Sequence, residues 1–278
     1  MKLFRFGSPG RERPGAVDAQ GVARDLSSVC DDLAGGALSR ANLERIRRTD
    51  LQSLPRVPST ERLGPCVGGT RNFIAVGLNY ADHAAETGAA VPKEPVLFNK
   101  APSCIVGPND QIVIPRGSRK TDWEVELAVI IGTTCRRVGE SEALKNVFGY
   151  SVFIDISARD CRRAGQWIYS KGQDSYGPFG PCIVTADEIA DPHALDLWLS
   201  VNGTLKQKSN TRHMLFKIPQ LIADISAGMT LEPGDIIATG TPSGVGAGRK
   251  PQEWLWPGDV IEAGVQHIGQ IRHPVVAV

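Results

Sequence analysis

The sequence lacks the features that mark several specialised classes of protein. No run approaches the roughly 18 apolar residues of a membrane span, and the N-terminus, Met1 to Phe6, alternates like an edge strand instead of carrying a signal peptide's apolar stretch. Lys and Arg number 31 against 30 Asp and Glu. This charge balance gives no reason to expect nucleic acid or an acidic membrane as a partner. We therefore predict a cytoplasmic protein that acts on a small molecule.

Paired cysteines are also missing. The 278-residue chain has six cysteines and no C-x-x-C pair, which argues against a zinc knuckle or a redox dithiol. A chain of this length can bury a core large enough to be stable without disulfides. We expect buried, free thiols at Cys30, Cys66, Cys104, Cys135, Cys161 and Cys182.

Two regions of the sequence differ in their predicted secondary structure, with a predicted boundary at residue 68. Residues 1–68 combine a short strand with a helix in SRANLERIRR, for which Ser39 is the expected N-cap. Residues 69–278 are mostly strands and turns, with helices expected over 141–147 and 219–227. The strand patterns span residues 72–77, 111–115, 123–132, 150–156, 197–202, 235–239 and 259–265. The pattern predicts an α+β protein, with a small N-terminal α/β domain before a strand-rich domain.

Two glutamates open an apolar strand in DWEVELAVIIG. Glu124 and Glu126 are two residues apart, and on a strand this spacing places both side chains on one face. An exposed edge strand is the ordinary explanation of such a pair. Asp155 favours another one, because it interrupts a second apolar strand and an ionised Asp is seldom buried without a partner. Three carboxylates without a Cys or His ligand motif suit Mg²⁺ or Mn²⁺ better than zinc.

A histidine and a glutamate lie one turn apart in NYADHAAETG. His83 and Glu86, at i and i+3, share the face of a short predicted helix. A carboxylate that orients an imidazole raises its basicity, which suits a general base acting on water. An ordinary ion pair on a surface helix explains the spacing equally well. We expect structural roles for the remaining histidines, His193, His213, His267 and His273.

Two lysines and a glycine-rich segment adjoin these motifs. Lys100 follows an apolar run and Lys171 opens the loop KGQDSYGPFGP, so either could meet a substrate carboxylate or an oxyanion. A single lysine beside a loop is, however, usually solvated. The segment TGTPSGVG lacks the spacing of a phosphate-binding loop, although its backbone could still donate hydrogen bonds to a small anion.

Six motifs in order make the chain resemble the fumarylacetoacetate hydrolase family from about residue 70 to the C-terminus. They are VGLNYADHAAE, FNKAPS, DWEVELAVIIG, GYSVFIDISARD, KGQDSYGPFGP and PGDIIATGTPSGVG. The resemblance implies a strand-rich mixed β-sandwich or β-roll, a homodimer, and Mg²⁺ or Mn²⁺ at Glu124, Glu126 and Asp155. One departure concerns the pocket, because Gln173, Ser175 and Tyr176 replace the residues usual in the KG-x-D loop.

The same resemblance assigns roles to individual residues. It implies catalytic roles for His83 and Glu86, on a short lid helix, and for Lys171. It implies a contact between Thr241 and the substrate carboxylate. The other residues that it places near the substrate are Lys100, Arg159 and Asp174.

The resulting hypothesis is a metal-dependent hydrolase of 2,4-diketo acids, either acylpyruvates or 2,4-diketo-3-deoxy sugar acids. His83 would deprotonate a water that attacks the distal carbonyl, with Lys171 stabilising the oxyanion, to release a carboxylic acid and pyruvate. One alternative is an oxaloacetate-type decarboxylase or a 2-oxo acid tautomerase or isomerase, which needs enolate stabilisation but no attacking water. A second is a non-catalytic metal-binding protein, which loss of metal ligands would reveal.

Overall fold

The computed structural model of the protein describes all residues from Met1 to Val278, and strands dominate it. Four strands precede residue 70: β1 Lys2–Phe6, β2 Arg13–Val17, β3 Ala23–Asp25 and β4 Leu63–Gly64. The following strands are β5 Phe73–Gly77, β6 Val96–Asn99, β7 Ile105–Val106, β8 Ile112–Ile114, β9 Thr121–Asp122, β10 Val125–Ile131, β11 Val147–Ile154, β12 Ser157–Ala158, β13 Gly177–Thr185, β14 Asp196–Val201, β15 Thr204–Asn210, β16 Ile236–Ala238, β17 Val260–Val265 and β18 Gly269–Ala277. The helices are α1 Arg40–Arg48, α2 Ala81–Thr87, α3 Glu140–Ala143, α4 Ile168–Lys171 and α5 Ile218–Gly228.

Two large sheets organise the chain. The first has eleven strands in the order β3-β2-β1-β13-β11-β10-β16-β5-β6, with β4 added on β1 and β7 on β13. The second has the order β15-β14-β17-β18-β8, and β9 and β12 form a separate pair. Both large sheets mix antiparallel with parallel pairs, as in β16 with β5 and β18 with β8. The predicted strand-rich α+β fold is confirmed.

The apolar character of β10 and β11 explains their central position. Every residue of both strands is buried, as expected for strands covered on both faces. Strand β15, by contrast, lies at the edge of the second sheet and exposes Thr204, Leu205 and Lys208. The core of the protein therefore surrounds the two strands that lead to the predicted carboxylates.

The N-terminal segment continues the main sheet. Strand β1 pairs with β13, with Lys2 opposite Val184, and β2 and β3 follow it outward. Helix α1 begins as predicted, because Ser39 Oγ accepts a hydrogen bond from the Asn42 N–H at 3.3 Å. The division into domains of residues 1–68 and 69–278 stays a prediction.

The details of some elements differ from expectation. The helix predicted over 141–147 is a single turn, α3, followed by a 3₁₀ turn, and Val147 already belongs to β11. All six cysteines are free, but Cys161 is only half-buried, so the prediction of burial is wrong for that residue. None of the five helices combines the length and the apolar character that crossing a bilayer would require.

Candidate active site

Adjacent strands of the main sheet bring the three predicted carboxylates together. Glu126 lies in β10, Glu124 immediately precedes this strand, and Asp155 immediately follows β11. The pairing extends to these ends, because the Asp155 N–H donates to the Glu124 carbonyl at 2.8 Å. Their carboxylate oxygens lie within 4.8 Å of one another, and all three residues are buried.

Two buried lysines neutralise part of this negative charge. Lys171 Nζ donates to Glu124 Oε2 at 2.7 Å and to Asp155 Oδ2 at 2.6 Å. Lys100 Nζ donates to Asp155 Oδ1 at 2.6 Å and also to the main-chain carbonyl of Lys171. Both ammonium groups, expected near the substrate, are thus held by the carboxylates themselves.

Arg159 completes the charged cluster by pairing with Asp122 as well as with Glu124. Asp122 was not among the residues predicted for the site. The Arg159 guanidinium bridges Glu124 and Asp122, at 2.9 Å from Nε to Asp122 Oδ2. Asp122 is fully buried and also accepts from the N–H groups of Gly246 and Ala247, at 2.6 and 3.0 Å. The only sequence feature that pointed to Asp122 is its position in DWEVE, two residues before Glu124.

The two glutamates differ sharply in their electrostatic surroundings. Burial alone would raise the pKa of Glu124, but the charges of Lys171 and Arg159 outweigh it and hold this pKa well below its usual range. Burial, reinforced by the charges of Asp155 and Glu124, raises the pKa of Glu126 well above the usual range. The carboxylate of Glu126 accepts one hydrogen bond, from the Gly240 N–H at 2.7 Å. Glu126 is therefore the carboxylate that lacks a cation.

These residues fit a hard divalent cation. Three buried carboxylates that converge within a few ångströms are oxygen donors of the kind that Mg²⁺ and Mn²⁺ prefer. Such a cation would supply the positive charge that Glu126 lacks. We find no sulfur ligand and no histidine in the cluster, which is the donor set predicted from the sequence.

The predicted histidine and glutamate lie on α2, which Gly88 ends in a left-handed conformation with φ of 69°. His83 Nδ1 is 3.6 Å from Glu86 Oε2, too far for a normal hydrogen bond, and this buried nitrogen has no other partner. Glu86 instead accepts from the Gly244 N–H, at 3.0 Å to each oxygen. The two side chains share a face as predicted, but the expected direct hydrogen bond is not formed.

Thr241 holds the strand that carries the glutamates. Its Oγ1 donates to the Val125 carbonyl at 2.8 Å and accepts from Gln207 Nε2 at 2.9 Å. Gln207 Oε1 in turn accepts from the Val125 N–H at 2.9 Å, and this residue is almost completely buried. Gln207 belongs to no motif, and only its position on β15, between Lys206 and the exposed Lys208, could have indicated that it faces inward.

A cavity of about 590 Å³ joins these groups. Its wall includes seven of the predicted site residues: His83, Glu86, Glu124, Glu126, Arg159, Lys171 and Thr241. Asp155 and Lys100 lie against the cluster but do not contribute to the wall. Asp174 is not brought to the cavity, because the turn at Ser175, with φ of 66°, leaves it exposed beside Ile168 and Tyr169.

Residues 72–276 match the family model described as fumarylacetoacetate (FAA) hydrolase C-terminal. The chain belongs to this family. It is also 54% identical, over 273 residues and 97% of both chains, to a Burkholderia multivorans protein that carries a provisional hydrolase name.

Solved structures of the fumarylacetoacetate hydrolase family share the whole fold. A fumarylacetoacetate hydrolase from psychrophilic Exiguobacterium antarcticum is 42% identical, with a TM-score of 0.86 and 100% of both chains covered. The maleylpyruvate hydrolase of Sphingobium sp. SYK-6, in complex with manganese(II) and pyruvate, is 34% identical, with a TM-score of 0.84 over 100% of this chain and 99% of that one. A 5-carboxymethyl-2-hydroxymuconate delta-isomerase from Mycobacterium smegmatis is also 34% identical, with a TM-score of 0.78 over 100% of this chain and 99% of that one. The family thus includes both hydrolases and isomerases.

Proposed function

We propose that this protein is a divalent-metal-dependent hydrolase that cleaves the C–C bond of a 2,4-diketo acid to give a carboxylic acid and pyruvate. One observation carries the proposal. The carboxylate cluster, in which Glu126 has no cation partner, and the His83–Glu86 pair open onto the same cavity. A site that must stabilise an enolate and activate a water needs both parts.

Glu124, Glu126 and Asp155 would hold Mg²⁺ or Mn²⁺. When bound, such a cation supplies Lewis-acid stabilisation of the negative charge that develops on the oxo-acid part of the substrate. The likeness to a maleylpyruvate hydrolase whose structure contains manganese(II) and pyruvate supports this assignment.

His83 would be the general base for the attacking water. The imidazole takes a proton as the water oxygen bonds to the distal carbonyl carbon, and Glu86, held by Gly244, faces the resulting imidazolium. The C–C bond then breaks, the acyl carbon leaves as a carboxylic acid, and the three-carbon part takes up a proton to become pyruvate. Thr241 remains the proposed contact to the substrate carboxylate, and because its hydroxyl hydrogen is donated to the Val125 carbonyl, this contact would require the hydroxyl to leave Val125.

Lys171 has a different role in this scheme from the one first expected. Its ammonium is shared by Glu124 and Asp155, so donation to an oxyanion would require it to leave one of them. We assign it to keeping these two carboxylates ionised and in place. Arg159 and Lys100 support the same carboxylates from other sides.

Isomerisation or decarboxylation of a 2-oxo acid is the second candidate, since the isomerase and the maleylpyruvate hydrolase have the same sequence identity to this chain, 34%. Neither reaction needs an attacking water, so the His83–Glu86 pair favours hydrolysis. A non-catalytic metal-binding protein is disfavoured because no carboxylate of the cluster is missing. The homodimer and the cytoplasmic location stay predictions.

The test is turnover of four substrates with Mg²⁺, with Mn²⁺ and with EDTA. The substrates are acetylpyruvate, fumarylpyruvate, a 2,4-diketo-3-deoxy sugar acid and oxaloacetate. Turnover is measured as release of pyruvate and as a change in ultraviolet absorbance. We expect metal-dependent release of pyruvate and a carboxylic acid from at least one diketo acid. A change in absorbance without release of pyruvate would contradict hydrolysis and indicate isomerisation. Turnover of oxaloacetate alone would indicate decarboxylation.

A further inference from the structure

The cations that line the cavity fall into two groups. Lys171 and Arg159 are fully engaged by the buried carboxylates. Arg162 and Lys120 also line the cavity, yet neither side chain has a carboxylate within ion-pair distance or any hydrogen bond. Both residues are exposed, so the cavity wall carries two positive charges that no carboxylate contacts directly.

Arg162 is positioned by aromatic packing instead. Its guanidinium lies 4.8 Å from the centre of the Trp167 ring, and Trp167 packs edge-on against Phe98 at 4.9 Å between ring centres. A side chain at Gly77 would collide with Trp167, so the glycine leaves the space that this indole occupies. Lys120 lies 5.9 Å from the ring centre of Trp254. Stacking leaves the in-plane N–H donors of an arginine free for a ligand.

The negative charges nearby do not satisfy Arg162. Asp160 also lines the cavity, but its two oxygens accept from Ser118 Oγ at 2.8 Å and from the Arg119 N–H at 2.7 Å. Arg162 is exposed, but partial desolvation of its guanidinium and the like charge of Arg159 lower its pKa, and the charge of Glu124 only partly opposes this shift. An anion in the cavity would relieve this repulsion.

We propose that Arg162, assisted by Lys120, determines specificity by binding a second carboxylate of the substrate, at the end of the acyl group. The guanidinium offers two parallel N–H groups, a geometry that matches a carboxylate. The preferred substrate is then a dicarboxylic acylpyruvate rather than a sugar acid with an uncharged, hydroxylated end. This inference rests on the proposed function for the identity of the oxo-acid end.

A matched pair of substrates tests it: succinylpyruvate, whose acyl group ends in a carboxylate, and its terminal amide. We expect wild-type protein with Mn²⁺ to prefer the carboxylate. Arg162→Gln should lower kcat/KM for succinylpyruvate on the order of 10- to 100-fold, mostly through KM, the amount expected for charge-assisted hydrogen bonds. The amide should be nearly unaffected, and Arg162→Lys should recover part of the loss.

Arg163→Gln is the matched control, because Arg163 stacks on Tyr169 at 3.6 Å and does not line the cavity. It should leave both substrates unchanged. Equal losses for carboxylate and amide in Arg162→Gln, or no preference in the wild-type protein, would overturn the inference.

A binding measurement separates this inference from the proposed function. Calorimetry with the Mn²⁺-loaded protein compares 2-oxoadipate with 2-oxohexanoate, which differ in the terminal carboxylate and need no hydrolysis. We expect the dicarboxylate to bind at least about tenfold more tightly, and Arg162→Gln to remove this advantage. No advantage for the dicarboxylate, or one that survives the substitution, overturns the inference even if diketo acids are hydrolysed. An advantage that depends on Arg162 supports it even if no diketo acid is cleaved.

Discussion

Replacing Glu126 with Gln should separate metal binding from the stability of the metal-free protein. The raised pKa of Glu126 favours its neutral form, and a glutamine oxygen can still accept the hydrogen bond from Gly240. The metal-free variant should therefore unfold within about 2 °C of the wild type, as expected for a near-isosteric change. Metal binding, by contrast, loses an anionic oxygen ligand.

The size of the metal effect follows from linkage. Mn²⁺ at 100 times its Kd stabilises a single-site protein by about 2.7 kcal/mol. At about 2 to 4 °C per kcal/mol for a large domain, wild-type Tm should rise by about 5 to 10 °C. At the same Mn²⁺ concentration, Glu126→Gln should show less than half of this rise. Differential scanning fluorimetry with EDTA and with Mn²⁺ measures both quantities.

Glu124→Gln is the matched comparison at the neighbouring position. Glu124 is ionised and pairs with Lys171 and Arg159, so its loss leaves one buried and one half-buried cation undercompensated. Breaking such pairs typically costs about 3 to 5 kcal/mol, which should appear even in EDTA. If Glu126→Gln destabilised the metal-free protein as much as Glu124→Gln does, or kept the full Mn²⁺ shift, the assignment of Glu126 as the unpaired ligand would be wrong.

Two further predictions concern histidines. His83→Ala should lower kcat for a diketo acid by about 10²- to 10⁴-fold while calorimetry shows Mn²⁺ affinity nearly unchanged, and a parallel loss of both would contradict its role as base. Burial lowers the pKa of His273 to about 4 from an ordinary 6.5, so the folded protein keeps this side chain neutral, with Nδ1 donating to the Asp110 carbonyl at 2.8 Å. Its contribution to the free energy of unfolding is complete above pH 6.5 and should fall by about 3 kcal/mol as the pH drops to 4. His273→Asn should make the urea midpoint of unfolding less dependent on pH between 4 and 6.5. An unchanged pH dependence would show that His273 does not cause the loss of stability.

The sequence was most informative where local periodicity decides the outcome. The spacing of Glu124 and Glu126 predicts one face of a strand, and the apolar residues after them predict its burial. Asp155 joins them because Val125 pairs with Ile154, a register that two separate apolar runs do not specify by themselves. The family resemblance supplied that connection.

The roles of residues whose partners are distant in the sequence could not be predicted. Asp122 matters because Gly246 and Ala247, more than 120 residues later, donate to it. Gln207 matters because it links β10 to Thr241 across 34 residues. The orientation of Glu86 toward Gly244, rather than into a hydrogen bond with His83, likewise depends on a loop that α2 approaches only in the folded chain.

The charge balance of the cluster explains why metal and substrate should bind together. The cluster contains four buried carboxylates, Asp122, Glu124, Glu126 and Asp155, two buried lysines, Lys100 and Lys171, and the half-buried Arg159. With Glu126 neutral, as its raised pKa favours, the metal-free cluster carries no excess charge and offers nothing to the carboxylate of a 2-oxo acid. A divalent cation displaces the Glu126 proton and leaves one excess positive charge, which that carboxylate neutralises. Under the proposed specificity, a carboxylate at the other end of the substrate would then meet Arg162 and Lys120, the two cavity cations that no carboxylate contacts directly, and charge would help to orient a dicarboxylic substrate.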